Sequence, residues 1–124
     1  MRDDQLLSKA TRINLLLDFY APLLTEKQVT FLRLQYAEDF SLSEIAEQYE
    51  VSRQAVNDHT RRACELLEEY ERKLMLADKH LRRSHLYQQL LVTVSQLQMS
   101  NNTTVESSAQ IADYVQHLKR LDEG

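Results

Sequence analysis

A single glycine, Gly124, and a single proline, Pro22, are all the chain contains. Hairpin turns depend on Gly, Asn or Asp at positive φ, and almost none stand in suitable places. Leu, Glu, Gln, Arg and Ala dominate instead, all of them good helix formers. The fold class that follows is all-α. A length of 124 residues suits one compact domain, or a small domain plus an extension.

Within that all-helical frame, Ser41 to Ala63 reads SLSEIAEQYEVSRQAVNDHTRRA. Ser41 is placed to cap a helix over Leu42 to Gln48, with Glu44 completing a capping box. Leu42, Ile45, Ala46 and Tyr49 share one side of it. Ser52 caps a second helix, and Ala46 is small where the two would cross. Val51 and Val56 fill the corner. This is the grammar of a helix-turn-helix, whose second helix a major groove can accept. One position departs from the usual pattern: Glu50 stands where Gly is common, and a non-glycine residue at positive φ costs roughly 1–2 kcal/mol.

The stretch LTEKQVTFLRLQYAEDFSLSEIAEQYEVSRQAVNDHTRRACELLEEYERKL resembles the YlxM-like family of small bacterial proteins, whose helix-turn-helix is similar to region 4 of sigma factors. The resemblance spans roughly residues 12–86. It is strongest at Leu24-Thr25, Tyr36-Ala37, Ser41 to Ala46 and Val51 to Val56. It implies a wing-free helix-turn-helix and a DNA-binding regulatory role. Because the family's genes stand beside that of the signal recognition particle GTPase, it also implies, by association, a link to that targeting pathway and its components.

The remaining elements follow from periodicity. Residues 4–20 place Leu6, Ala10, Ile13, Leu17 and Tyr20 on one stripe, widened by Leu7, Leu16 and Phe19. Ala21-Pro22 interrupts it. Thr25 caps a helix running to about Ala37, with Gln28 as capping-box partner, burying Val29, Leu32 and Tyr36 beside Phe31. The fourth helix shows no breaker for about thirty residues, a length of ~45 Å. Ala63, Leu67, Tyr70, Leu74, Ala77 and Leu81 form its coiled-coil-like seam, more than a three-helix unit can cover. The seam loses phase at Arg82-Arg83-Ser84-His85. A stripe of Leu86, Leu90, Val94 and Leu97 follows, by continuation or by folding back. Residues 100–104 read as a polar linker, and Ile111, Val115, Leu118 and Leu121 as a last amphipathic helix. The expected organisation is a helix-turn-helix domain over residues 1–65 and a helical extension over 66–124 that makes a homodimer.

Taking Val56 as inward, Gln54, Asp58, Arg61 and Glu65 point outward, Asn57 sits at the shoulder, and Arg53 and Arg62 flank the edges. On DNA, Gln54 and Asn57 can meet adenine, and Arg61 guanine or a phosphate. Ser52, Arg53 and Arg62 can hold phosphates. The competing reading is an ordinary solvated face: Asp58 and Glu65 oppose a duplex, residues 52–65 carry three arginines against two acids, and the whole chain is at −4. Protein or ribonucleoprotein binding is the alternative that this balance favours. A second basic run, Lys79 to His85, suits either a helix C-terminus or a phosphate or RNA contact. His59 reads as a half-buried packing residue.

Other chemistry finds little support. Cys64 is the only cysteine, so an intrachain disulfide or a Cys-rich metal cage is excluded. The histidines lack metal-ligand spacing, and no metal or cofactor is expected. A Gly-rich phosphate loop is impossible without internal glycine, and no nucleophile–base arrangement is apparent, so an enzyme is not expected. No apolar run approaches the ~20 residues of a membrane span, and the start reads as no signal peptide. The expected location is the cytoplasm.

Overall fold

The computed structural model describes residues 2–100 and 105–123. The predicted linker residues 101–104 and the side chains of Leu6 and Leu7 lie outside what it describes. Among the described residues the chain is all-α: α1 (Arg2–Tyr20), a 3-10 turn (Ala21–Leu23), α2 (Glu26–Tyr36), α3 (Leu42–Tyr49), α4 (Arg53–Leu74), α5 (Leu76–Ser100) and α6 (Val105–Glu123). It divides into two compact units, one ending at Ala77 and the other beginning at Asp78.

In the first unit the helix starts are set by local chemistry. Thr25 Oγ1 accepts from the Gln28 N–H at 3.2 Å while Gln28 Oε1 accepts from the Thr25 N–H at 3.0 Å. Two of the N–H groups a helix start leaves without intrahelical partners are thereby satisfied. α2 then separates two apolar clusters. Leu32 joins Ile13, Leu16, Leu17 and Tyr20 of α1 and Ala63 and Leu67 of α4. Its neighbour Phe31, turned 100° about the helix axis, joins Ile45 and Ala46 of α3 and Val56 of α4. Full burial of one such side chain contributes about 1.5–3 kcal/mol. As the periodicity of residues 4–20 predicts, α1 covers the three-helix unit through Ile13, Leu17 and Tyr20, with Leu16 beside them.

The fourth helix is shorter than its sequence predicts. It ends at Leu74, and Met75 takes a left-handed conformation (φ 56°, ψ 29°). The cause is distant in sequence. Buried Glu71 accepts through Oε1 from the Tyr20 hydroxyl at 2.6 Å and from the Ala77 N–H at 3.0 Å, and the Tyr20 oxygen accepts from the Leu76 N–H at 3.1 Å. Two N–H groups of the first turn of α5 are thus capped by α1 and α4, which offsets the ~1–2 kcal/mol of left-handed backbone. Burial, reinforced by the bond to Glu71, raises the Tyr20 phenol above its ordinary pKa. The predicted seam divides accordingly. Ala63, Leu67 and Ala77 are buried, whereas Leu74 and Leu81 remain 47% and 54% exposed.

In the second unit α5 runs unbroken through residues 82–97, so this stretch continues as helix and does not fold back. α6 lies antiparallel to α5: Arg83 pairs with Asp122 at 2.9 Å, while Thr93 and Gln96 share a cleft with Gln110 and Tyr114. Two predicted stripe positions shift by one residue. Thr93 is buried in place of Val94, because its hydroxyl donates to the Gln89 carbonyl at 2.9 Å and needs no solvent. Tyr114 is half-buried, and Val115 stays 40% exposed.

Candidate nucleic-acid interface

The candidate surface is built by α3, the turn and the first half of α4. Ser41 and Glu44 form the predicted capping box, each bond 3.1 Å long. At the far end of α3, Glu50 has φ 55° and ψ 43°. Its N–H reaches the Glu47 carbonyl at 3.4 Å, and the Val51 N–H reaches the Ala46 carbonyl at 3.0 Å. These are the paired bonds of a Schellman motif, made here by glutamate instead of glycine. Val51 packs against the Phe31–Ile45–Ala46–Val56 cluster, and that apolar contact closes the corner. Ser52 Oγ then accepts from the Ala55 N–H at 3.0 Å and starts α4.

Val56 and Ala63 are fully buried, and Thr60 lies beside them with its hydroxyl donating to the Asn57 carbonyl at 3.1 Å. Thr60 is polar, so hydropathy does not mark it as an inward residue. Its back-bond to the helix allows it to sit inside. His59 is half-buried, its ring edge-on to Phe31 at 5.7 Å. Ser52, Arg53, Gln54, Asn57, Arg61 and Arg62 are all exposed. Helical geometry places Gln54, Asn57 and Arg61 on one stripe. Arg62 lies on the other flank, beside Gln28 of α2 and near Glu65 and Glu69. Arg61 stands between Asp58 and Glu65, 3.6 Å from each. Exposed pairs of this kind contribute only ~0.3–0.5 kcal/mol, so a stronger anion can displace them.

α1 adds residues to the edge of this surface that sequence spacing did not reveal. Lys9 stands 5.7 Å over the Tyr36 ring and shares a depression with Asn57, Arg61 and Cys64. The interaction with Tyr36 raises its ammonium pKa. Arg12 grips Glu68 through two 2.6 Å bonds, which hold the Glu68 carboxyl below the usual range. Burial pushes the Cys64 thiol up. No signal in the sequence pairs α1 with α4, since Arg12 and Glu68 stand fifty-six positions apart. Among the described residues no three His, Cys, Asp or Glu side chains are grouped to hold a metal, and no helix is long and apolar enough to cross a membrane.

Two helices joined by a left-handed turn, the first bracing the second and leaving its outer face uncovered, define a helix-turn-helix protein. Residues 7–110 match the family model described as "Putative helix-turn-helix protein, YlxM / p13 like". The chain belongs to this family. A UPF0122 protein of Bacillus velezensis is 48% identical over 116 residues, covering 94% of this chain and 98% of the relative. UPF0122 protein YlxM of Bacillus subtilis is 52% identical over 84 residues, covering 68% and 76%. A relative in Geobacillus kaustophilus is 44% identical over 117 residues, covering 94% of this chain and the whole of its own.

Proposed function

We propose that the protein is a DNA-binding regulatory protein that lays the outer face of α4 in a major groove. Ser52 and Arg53 hold phosphates at the helix entrance, Gln54 and Asn57 meet adenine edges, and Arg61 meets guanine or a phosphate. Arg62 holds a phosphate on the far flank. The observation that carries this reading is the division of α4: Val56, Thr60 and Ala63 are sunk in the protein while Gln54, Asn57 and Arg61 stand outside it. The role is one of binding and involves no catalysis. Its setting is the signal recognition particle pathway, which rests on the family resemblance alone, and its place is the bacterial cytoplasm, where the DNA lies.

The protein acts as a homodimer in this reading. Tyr87, Leu91 and Val94 recur at helical spacing on α5 and remain 49%, 61% and 37% exposed. A second copy would cover them and would double a modest charge contact. Sedimentation equilibrium should return twice the chain mass of 14.6 kDa, and a monomer at micromolar concentration would refute the dimer.

The test of DNA binding is selection from a random duplex pool followed by salt titration. An enriched motif is expected, with log affinity falling by about 0.9 per phosphate contact against log salt. A pool without enrichment overturns it. A second reading, docking on a protein or ribonucleoprotein such as the targeting GTPase or its RNA, is favoured by one observation. The residues up to Ala77 carry ten Lys and Arg against fourteen Asp and Glu, and two of those acids flank Arg61. Retention of such a partner by a protein that ignores random duplex at low salt would decide for it.

A further inference from the structure

Arg82, His85 and Leu86 stand on α5 at spacings of three and one. His117, Arg120 and Leu121 repeat that spacing on α6. In the antiparallel hairpin the two triplets face each other across a cleft of about 370 Å³. Three acids, Asp78, Asp113 and Asp122, lie near the cleft, and the Asp113 carboxylate stands 3.6 Å from His117 Nδ1. Asp122 is held by Arg83 at 2.9 Å. Asp78 pairs with the Nε of Arg82 at 3.1 Å, and the Arg82 side chain lines the cleft. His117 Nδ1 lies 2.8 Å from the Asp113 carbonyl. When it donates there, Nε2 is the nitrogen left for a ligand. Arg120 makes no ion pair among the described residues and is exposed.

Two guanidiniums are suited to phosphate oxygens, which they grip through paired N–H donors. One inorganic phosphate, however, leaves most of a cleft this large unfilled, and its volume lies in the range of sites for small organic ligands. The rest of the wall is supplied by Leu86 and Leu121, both partly buried, and by two imidazole rings. That combination asks for a ligand with a polyanionic end and a flat, largely apolar end. We propose that the α5–α6 hairpin carries a nucleotide site, in which Arg82 and Arg120 hold the phosphates of a nucleoside polyphosphate and Leu86, Leu121 and the two histidines enclose its base. The site shares no residue with the outer face of α4 and does not depend on DNA binding there.

The experiment is calorimetric titration of the full chain at low salt with ATP, GTP and inorganic tripolyphosphate. One or both nucleotides should bind with Kd on the order of 10–500 μM. Tripolyphosphate, which lacks the base, should bind at least ~5-fold more weakly. Arg120→Ala should weaken nucleotide binding at least ~10-fold, with Arg120→Lys falling between it and the parent, while Arg61→Ala leaves it unchanged. Circular dichroism of each variant reports whether the helices are retained, and Arg82→Ala provides the same test should Arg120→Ala lose helicity. No heat at 5 mM nucleotide overturns the site. Equal affinity for tripolyphosphate overturns the base pocket, and a loss on Arg61→Ala with none on Arg120→Ala moves the anion to α4 and overturns the assignment.

Discussion

The hydroxyl of Tyr20 donates a 2.6 Å hydrogen bond to the carboxylate of Glu71, fifty-one residues further along the chain, and both side chains are buried. The same two groups receive the Leu76 and Ala77 N–H bonds that open α5. Removing the phenol oxygen in Tyr20→Phe leaves a buried carboxylate and a backbone donor short of a partner. Each such loss costs about 1–3 kcal/mol, so the urea midpoint should fall accordingly. Glu71→Gln, which keeps the shape and an acceptor oxygen, should cost less than Glu71→Ala. A Tyr20→Phe variant as stable as the parent would show that the pair does not hold the break at Met75.

The turn of the helix-turn-helix offers a test of opposite sign. Glu50 makes the Schellman bonds while holding a left-handed backbone that glycine adopts without a clash. Glu50→Gly should raise stability by about 1 kcal/mol, and Glu50→Val, which is β-branched, should lower it. Chemical unfolding of the three chains provides the comparison, and a destabilised glycine variant would contradict the strain argument.

For DNA binding, Arg61 is the informative position. If it reads a base, Arg61→Ala should cost about 1–3 kcal/mol on a selected duplex. Because Asp58 and Glu65 sit 3.6 Å from it, replacing both by their amides should strengthen binding to random duplex and steepen its salt dependence. Anisotropy titrations measure both effects. Unchanged affinity in Arg61→Ala would remove this residue from the interface.

Cys64 provides a pH test. Burial raises its thiol pKa above the ordinary value, so the folded chain keeps a proton that the unfolded chain loses first. The resulting contribution to stability is fully present below the ordinary thiol pKa near 8.5 and is lost as pH rises through the higher folded value. Alkylation by iodoacetamide at neutral pH should therefore be slow in the folded protein and fast in urea. Cys64→Ser should flatten the alkaline loss of stability. A rapidly alkylated native thiol would place Cys64 in an environment other than the one described.

Much of the first unit was legible because its signals are local. Thr25 with Gln28, Ser41 with Glu44, and Ser52 announce three helix starts within a few residues each, and Val56 and Ala63 mark the inward face of α4 by spacing alone. What the residues did not announce depends on distant partners. Met75 carries no breaker chemistry of its own, and its turn exists because Tyr20 reaches Glu71. Thr60 and Thr93 are polar by type, yet lie inside because each hydroxyl is satisfied by its own helix. Apolar Val94 and Val115 stay largely exposed although the periodicity places them inward. At the candidate surface the outward residues were readable from helical geometry, whereas Lys9 and its stack on Tyr36 required α1 to be placed.

Phe31 and Leu32 are adjacent in sequence, yet each feeds a different apolar cluster, so α2 serves as a party wall between the two, both of which also take residues of α4. Neither side can be repacked without the shared wall shifting in the other. Because α4 sends Ala63 and Leu67 into the Tyr20 side and Val56 into the other, substitutions in α1 should change how firmly α4 is held without altering its outer face.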